Sequence, residues 1–140
     1  MANAKADKAA DGVQPREIEA GANVVRASYI AAESHSATDV IQCIKVPSGA
    51  IIDNVIVAPP ISGSTPAAVI LTIGDGDDPN RFGSFTFSSV AARGTGNLGY
   101  QYSLSDAADP FYDTIDATVT GGVLTVSQGF AMIVTYHCDD

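Results

Sequence analysis

The sequence predicts an all-β fold: a single antiparallel β-sandwich, jelly-roll-like domain over residues 23–140, behind an extended N-terminal arm over residues 1–22. Three observations carry this expectation. Short apolar or alternating runs recur at roughly 8–12-residue intervals and are separated by Pro, Gly, Asp and Ser. Outside the arm no segment keeps a helical period, and nothing alternates strand with helix, which argues against Rossmann and TIM architectures. The texture also changes abruptly at Val24, where an Ala-, Lys- and Asp-rich leader without aromatic residues gives way to β-branched runs.

Taken in order, the leader comes first. Gly12, Pro15 and Gly21 break any long helix in it, so an extended or disordered arm is expected. The run VVRASYIAA opens the body. Asp39–Val46 (DVIQCIKV) follows and stops at the turn Pro47-Ser48-Gly49; Ala50–Ala58 (AIIDNVIVA) stops at Pro59-Pro60. ISGSTPA reads as a loop. Ala68–Ile73 (AVILTI) is apolar at nearly every position and is expected at the centre of a packed sheet. FGSFTFSS sets Phe85 and Phe87 against Ser84, Thr86 and Ser88, and GYQYSLS sets Tyr100, Tyr102 and Leu104 against Gln101, Ser103 and Ser105. DTIDATVT sets Ile115, Ala117 and Val119 against Thr114, Asp116 and Thr118, the period of a half-buried strand. GGVLTVS is expected as a short strand, and Phe130–His137 (FAMIVTYH) as the last. About eight or nine strands result, with no internal repeat.

Composition narrows the function. The 140 residues are enough for one domain with a real core, and 46% are hydrophobic. Only 16% are charged, so much neutral polar surface must be exposed or covered by a partner. The formal net charge is −9, nearly all of it on the body. An acidic body is a poor nucleic-acid binder, because phosphate contacts need Lys and Arg. There is no polybasic segment for anionic lipid. No apolar stretch reaches the roughly 18 residues of a membrane span. The N-terminal segment lacks the apolar core of a secretory signal, so folding in a cytoplasm is expected. Cys43 and Cys138 are then expected as two reduced thiols, with no CxxC and no zinc spacing.

The densest candidate chemistry is GDGDDPNRF. Asp75, Asp77 and Asp78 could offer oxygen ligands to a cation such as calcium. The EF-hand pattern fails, however: counted from Asp75, Pro79 stands at the third ligand, Asn80 at the required glycine and Thr86 at the closing Glu. A turn needs less: glycines for unusual backbone geometry, Asp for capping, Pro79 to fix φ, and Arg81 to pair with an acid. The remaining acids, Asp113 and Asp116 among them, read as solvated turn carboxylates. His35 lies in a polar loop and His137 near the last residues, both read as surface histidines, and neither neighbours a nucleophile motif. GTGNLG lacks the helix that would receive a phosphate. The sequence therefore predicts no catalytic residue, no cofactor and no metal beyond that loop.

LTIGDGDDPNRFGSF, YDTIDATVTGGVLTVSQGFAMIVTYH and the upstream DVIQCIKVPSGAIIDNVIVA resemble small structural proteins encoded in tailed-bacteriophage genomes. Such proteins share a V-P-x-G-A hairpin, an apolar strand running into GDG, and a Y…DTIDATVT strand. The resemblance covers roughly residues 38–137. It implies a non-enzymatic virion accessory protein, a capsid decoration or cement protein or a small head or tail fibre piece, often trimeric. The leading expectation is a homotrimeric decoration or cement protein on the capsid surface, assembled in the host cytoplasm. The implied partners are the major capsid protein or other virion proteins. The arm can span at most roughly 70 Å when extended. Its Lys5, Lys8 and Arg16, with Val24 where it meets the body, are the partner-binding candidates. The alternative is a tail- or head-fibre component with a glycan-binding face, on which Tyr100, Tyr102 and Tyr112 would stack on sugars.

Overall fold

The computed structural model describes residues 3–6, 22–66, 68–86, 92–94, 96, 98–101 and 112–138. Among them nine strands form and no helix: β1 (Asn3–Lys5), β2 (Asn23–Ile30), β3 (Val40–Pro47), β4 (Ala50–Ala58), β5 (Ile70–Gly74), β6 (Gly83–Thr86), β7 (Ala92–Arg93), β8 (Tyr112–Gly121) and β9 (Gly129–Cys138). They make two sheets packed face to face, ordered β1-β3-β8-β5-β6 and β2-β9-β4-β7. All pairings are antiparallel except β1 on β3. The fold is a β-sandwich, as expected.

Alternation decides which face of each strand turns inward. Ile41, Ile44 and Val46 of β3, Ile115, Ala117 and Val119 of β8, and Leu71 and Ile73 of β5 point from the five-stranded sheet into the core. Ile52, Val55 and Val57 of β4 and Phe130, Met132, Val134 and Tyr136 of β9 meet them from the other sheet. Each such side chain contributes roughly 1.5–3 kcal/mol when fully buried. Three register shifts interrupt the ladders, at Gln42/Ile44, at Ile52/Asn54 and at Ile70/Leu71. The first explains why the consecutive Cys43 and Ile44 are both buried. Cys43 and Cys138 carry thiols and are not joined by a disulfide.

Within the N-terminal segment, Asn3–Lys5 runs parallel to Val40–Gln42 on the outer edge of β3. The Ala6 amide donates to the Gln42 carbonyl at 2.8 Å, and the Ala6 methyl is buried. Main-chain pairing of this kind covers an edge strand that would otherwise be open. Two sequence expectations are corrected. GGVLTVS runs from the end of β8 into the connection to β9, holding the loop after β2 through the His35–Leu124 bridge and through the Ser127 amide on the Ala31 carbonyl. AVILTI is not buried on both faces: Ile70 is 36% exposed, because β5 begins at the end of the sandwich. Phe87, Tyr102 and Leu104 lie outside the described residues.

Candidate functional site

The acidic loop after β5 is a tight turn built around Asp75. Gly74 is required by close approach: a Cβ there would stand 2.1 Å from the Asp78 carbonyl oxygen, whereas one on Gly76 would meet open space. Neither glycine has positive φ. Asp75 Oδ1 accepts the amides of Asp77 at 3.1 Å and Asp78 at 2.8 Å, and its Oδ2 accepts Arg81 Nε at 2.7 Å. The Arg81 guanidinium also lies 3.8 Å from the Tyr100 ring centroid. Burial is the largest single influence on Arg81 and works against its charge, but the Asp75 hydrogen bond together with the charges of Asp75, Tyr100 and Asp78 outweighs it and holds the pKa above the ordinary value. Asp75 is thus saturated by protein donors, while Asp77 is exposed and Asp78 accepts the Asn80 amide. Among the described residues no group of three or more His, Cys, Asp or Glu could hold a metal ion.

This loop folds back over the outer face of the five-stranded sheet, and there it covers Asp116. Sequence reasoning treated Asp116 as a solvated turn carboxylate; instead it sits within β8, between Gln42 of β3 and Gly74 of β5, and is 6% exposed. Burial, opposed by a hydrogen bond with Thr114 and reinforced by Asp113 and Asp75, raises its pKa from 3.8 to about 7. Among the described residues no group donates to its Oδ1. The alternation of DTIDATVT placed Asp116 correctly on the face opposite Ile115 and Ala117. The pattern could not say that a distant loop covers that face.

His35 is a second correction. It is fully buried, not on the surface. Tyr29 Oη and His35 Nε2 share a 2.5 Å hydrogen bond, and His35 Nδ1 lies 3.4 Å from Asp39 Oδ2. Desolvation, then electrostatic interaction with Glu33 and with Cys43, pushes the Tyr29 hydroxyl pKa up. This Tyr–His–Asp line resembles a proton relay, but its imidazole is sealed from substrate; it ties the loop after β2 to the sandwich. His137 is about a third exposed and pairs with Asp53 at 2.7 Å across β9 and β4.

The surface offers a different feature. Ile30 ends β2, Ile61 lies in the β4–β5 connection, Ile70 begins β5, and Val123 and Val126 lie in the β8–β9 connection. All five are exposed, Ile61 by 80%. Hydrogen bonds Ala31 N to Gln128 O and Ser64 N to Ser127 O, with the Ile70–Gly121 and Ile30–Gly129 pairings, bring these segments together at one end of the sandwich. Residues 59–69 and 122–128 contain no charged side chain. An apolar, charge-depleted end is what a protein–protein contact uses. Of the sequence candidates for partner binding, Val24 is 67% exposed at the opposite end of β2, and Lys5 contributes its backbone to β1. Lys8 and Arg16 lie outside the described residues.

No protein-family model matches the chain, and no curated protein matches it significantly. Two solved structures share its fold. A chain in the capsid of Ralstonia phage GP4 superposes with a TM-score of 0.71 at 18% identity, covering 99% of this chain and 99% of that one. A chain of the cyanophage Pam1 capsid asymmetric unit superposes with a TM-score of 0.63 at 19% identity, covering 93% of this chain and 98% of that one. At such identities the likeness establishes the fold from end to end.

Proposed function

We propose that the protein is a non-enzymatic structural component of a tailed-phage virion, a decoration or cement protein on the head shell that associates with the major capsid protein. The observation that carries this reading is the end-to-end superposition on a chain from a phage capsid, 99% of each chain at a TM-score of 0.71. The connectivity supports it. Strands β2 to β9 divide as β2-β9-β4-β7 and β3-β8-β5-β6. That is the order of interlocked Greek keys, a jelly roll, which viral capsid domains use and which lectins and cupins also use. Fold alone does not assign function; the apolar end and the low charge add a surface suited to permanent contacts.

In this reading the body makes homotrimeric contacts in which Ile61 and Val126 are covered. The arm, residues 1–22 with Lys5, Lys8 and Arg16, docks on the shell or on an adjacent subunit. The rings of Tyr100 and Tyr112 already face the cations of Arg81 and Lys45, so no observation favours the glycan-binding alternative. The test is mass spectrometry and electron cryomicroscopy of particles from a phage encoding the chain. The chain should be present on the head in threes. Ile61→Asp with Val126→Asp, and separately Lys5→Glu, Lys8→Glu and Arg16→Glu, should each leave the sandwich folded and deplete the particle of the protein. Absence of the chain from particles overturns the reading; full occupancy by both variants overturns the assigned surfaces.

A further inference from the structure

Between the 75–79 loop and the turn at Ala37–Thr38, the outer face of the five-stranded sheet is hollowed into a cavity of about 540 Å³. Thr38, Val40, Gln42, Asp75, Asp116 and Thr118 contribute to its lining. We propose that this cavity is a socket for a lysine or arginine side chain presented by a partner polypeptide, with the Asp116 carboxylate as its counter-ion.

Three features lead there. Asp116 is more than nine-tenths buried, lines the cavity, and has a carboxylate oxygen to which no group among the described residues donates. A buried acceptor without a donor is costly and calls for one from outside. The other carboxylate in the cavity, Asp75, is already neutralised by Arg81, so it adds no second hard ligand for an inorganic cation, whose coordination needs several oxygens. A single unsatisfied carboxylate beside the polar groups of Gln42, Thr38 and Thr118 suits one ammonium or guanidinium, whose aliphatic stem would lie against Val40. Among the described residues no Lys or Arg lines the cavity.

Among the described residues of the body, none supplies that basic group. The body's cationic side chains are engaged within the chain: Arg26 on the Pro59 carbonyl, Lys45 over Tyr112, Arg81 on Asp75 and Arg93 on Asn54. Charge complementarity agrees, since an acidic chain of net charge −9 attracts basic segments. Burial keeps the Asp116 pKa near 7. An arriving cation would pull it down and gain the corresponding binding energy at neutral pH. That the partner is a virion protein rests on the reading above; the socket itself can be tested on the isolated chain.

The experiment is NMR titration of the labelled full chain with acetylated, amidated tripeptides: alanyl-lysyl-alanine, alanyl-arginyl-alanine, and alanyl-norleucyl-alanine as the uncharged control. The lysyl and arginyl peptides should cause saturable amide shifts confined to Thr38, Val40, Gln42, Asp116 and Thr118. They should also lower the Asp116 carboxyl pKa, followed by its carbon shift, by about one unit or more. Asp116→Asn, verified as folded by its spectrum, should weaken binding by about tenfold or more. Equal binding of the norleucyl peptide, undiminished binding to Asp116→Asn, a stronger response to calcium than to the peptides, or no saturable shift with either basic peptide would overturn the proposal. None of these outcomes depends on whether the chain is found on a particle, so the two readings fail separately.

Discussion

Replacing Asp116 by Asn should raise stability at neutral pH and leave it nearly unchanged in acid. The argument is a proton balance. Asp116 has a pKa of about 7 in the folded chain against 3.8 for an unperturbed Asp. Below both values the carboxyl is neutral in the folded and unfolded states, and its ionisation contributes nothing. As pH rises from 3.8 towards 7, the unfolded chain releases a proton that the folded chain still holds, so stability falls through this window. Above 7 the deficit is constant. A shift of about three units, at about 1.36 kcal/mol per unit, amounts to roughly 4 kcal/mol. Asn has nearly the same shape and no charge, so Asp116→Asn removes the deficit. Urea unfolding of both proteins, followed by far-ultraviolet circular dichroism because the chain has no Trp, should give curves that coincide near pH 4. They should separate progressively, with the variant ahead by roughly 4 kcal/mol, or about 14 °C in Tm, by pH 8. Groups that titrate in both proteins cancel in the difference. A gap that stays flat from pH 4 to pH 8, or a variant less stable at pH 8, would refute the reasoning.

Arg81→Ala should destabilise the fold by roughly 3 kcal/mol, because it leaves the Asp75 carboxylate buried with only backbone donors and removes the contact with Tyr100. Adding Asp75→Asn to that variant should restore a good part of the loss in a denaturant titration; a single-variant loss below about 0.5 kcal/mol would mean that the backbone amides alone hold Asp75. Tyr29→Phe should cost roughly 1–3 kcal/mol, since His35 Nε2 loses its 2.5 Å partner inside the core. Thermal unfolding of Tyr29→Phe indistinguishable from that of the parent protein would show that the imidazole needs no such partner.

The strand inventory was legible because the sequence signals involved are local. DVIQCIKV and AIIDNVIVA became β3 and β4 around the Pro47–Gly49 turn, where Gly49 takes φ +86°. DTIDATVT and FAMIVTYH became most of β8 and β9. What remained illegible is tertiary. Alternation assigns a side chain to one of two faces, but not the element that later covers that face. Asp116 lies on the outer face, and its tertiary surroundings, the 75–79 loop and the Ala37–Thr38 turn among them, make that position a buried one. His35 sits among Glu33, Ser34 and Ser36, a polar setting that predicts exposure. It is buried because the main chain is pinned on both sides of it, at Ala31 to Gln128 and at Thr38 to Val119, and at His35 itself to Leu124. The two-sided burial expected for AVILTI failed for a related reason: an apolar run does not report where the sheet ends.

The two buried carboxylates over β8 separate structural from interactive chemistry. Asp75 breaks the rule against buried charge and is repaid in full, by two amides and a guanidinium, so its presence is explained by the turn that it holds. Asp116 breaks the same rule nearby in space and is left with an oxygen that nothing among the described residues satisfies. Thr at this position would continue the series of Thr114 and Thr118 without the deficit. A sequence under selection for folding alone would have little reason to keep an acid there, because local rules are broken where something other than the fold makes use of the residue. The acid that the fold needs is therefore Asp75, and the acid available to a partner is Asp116.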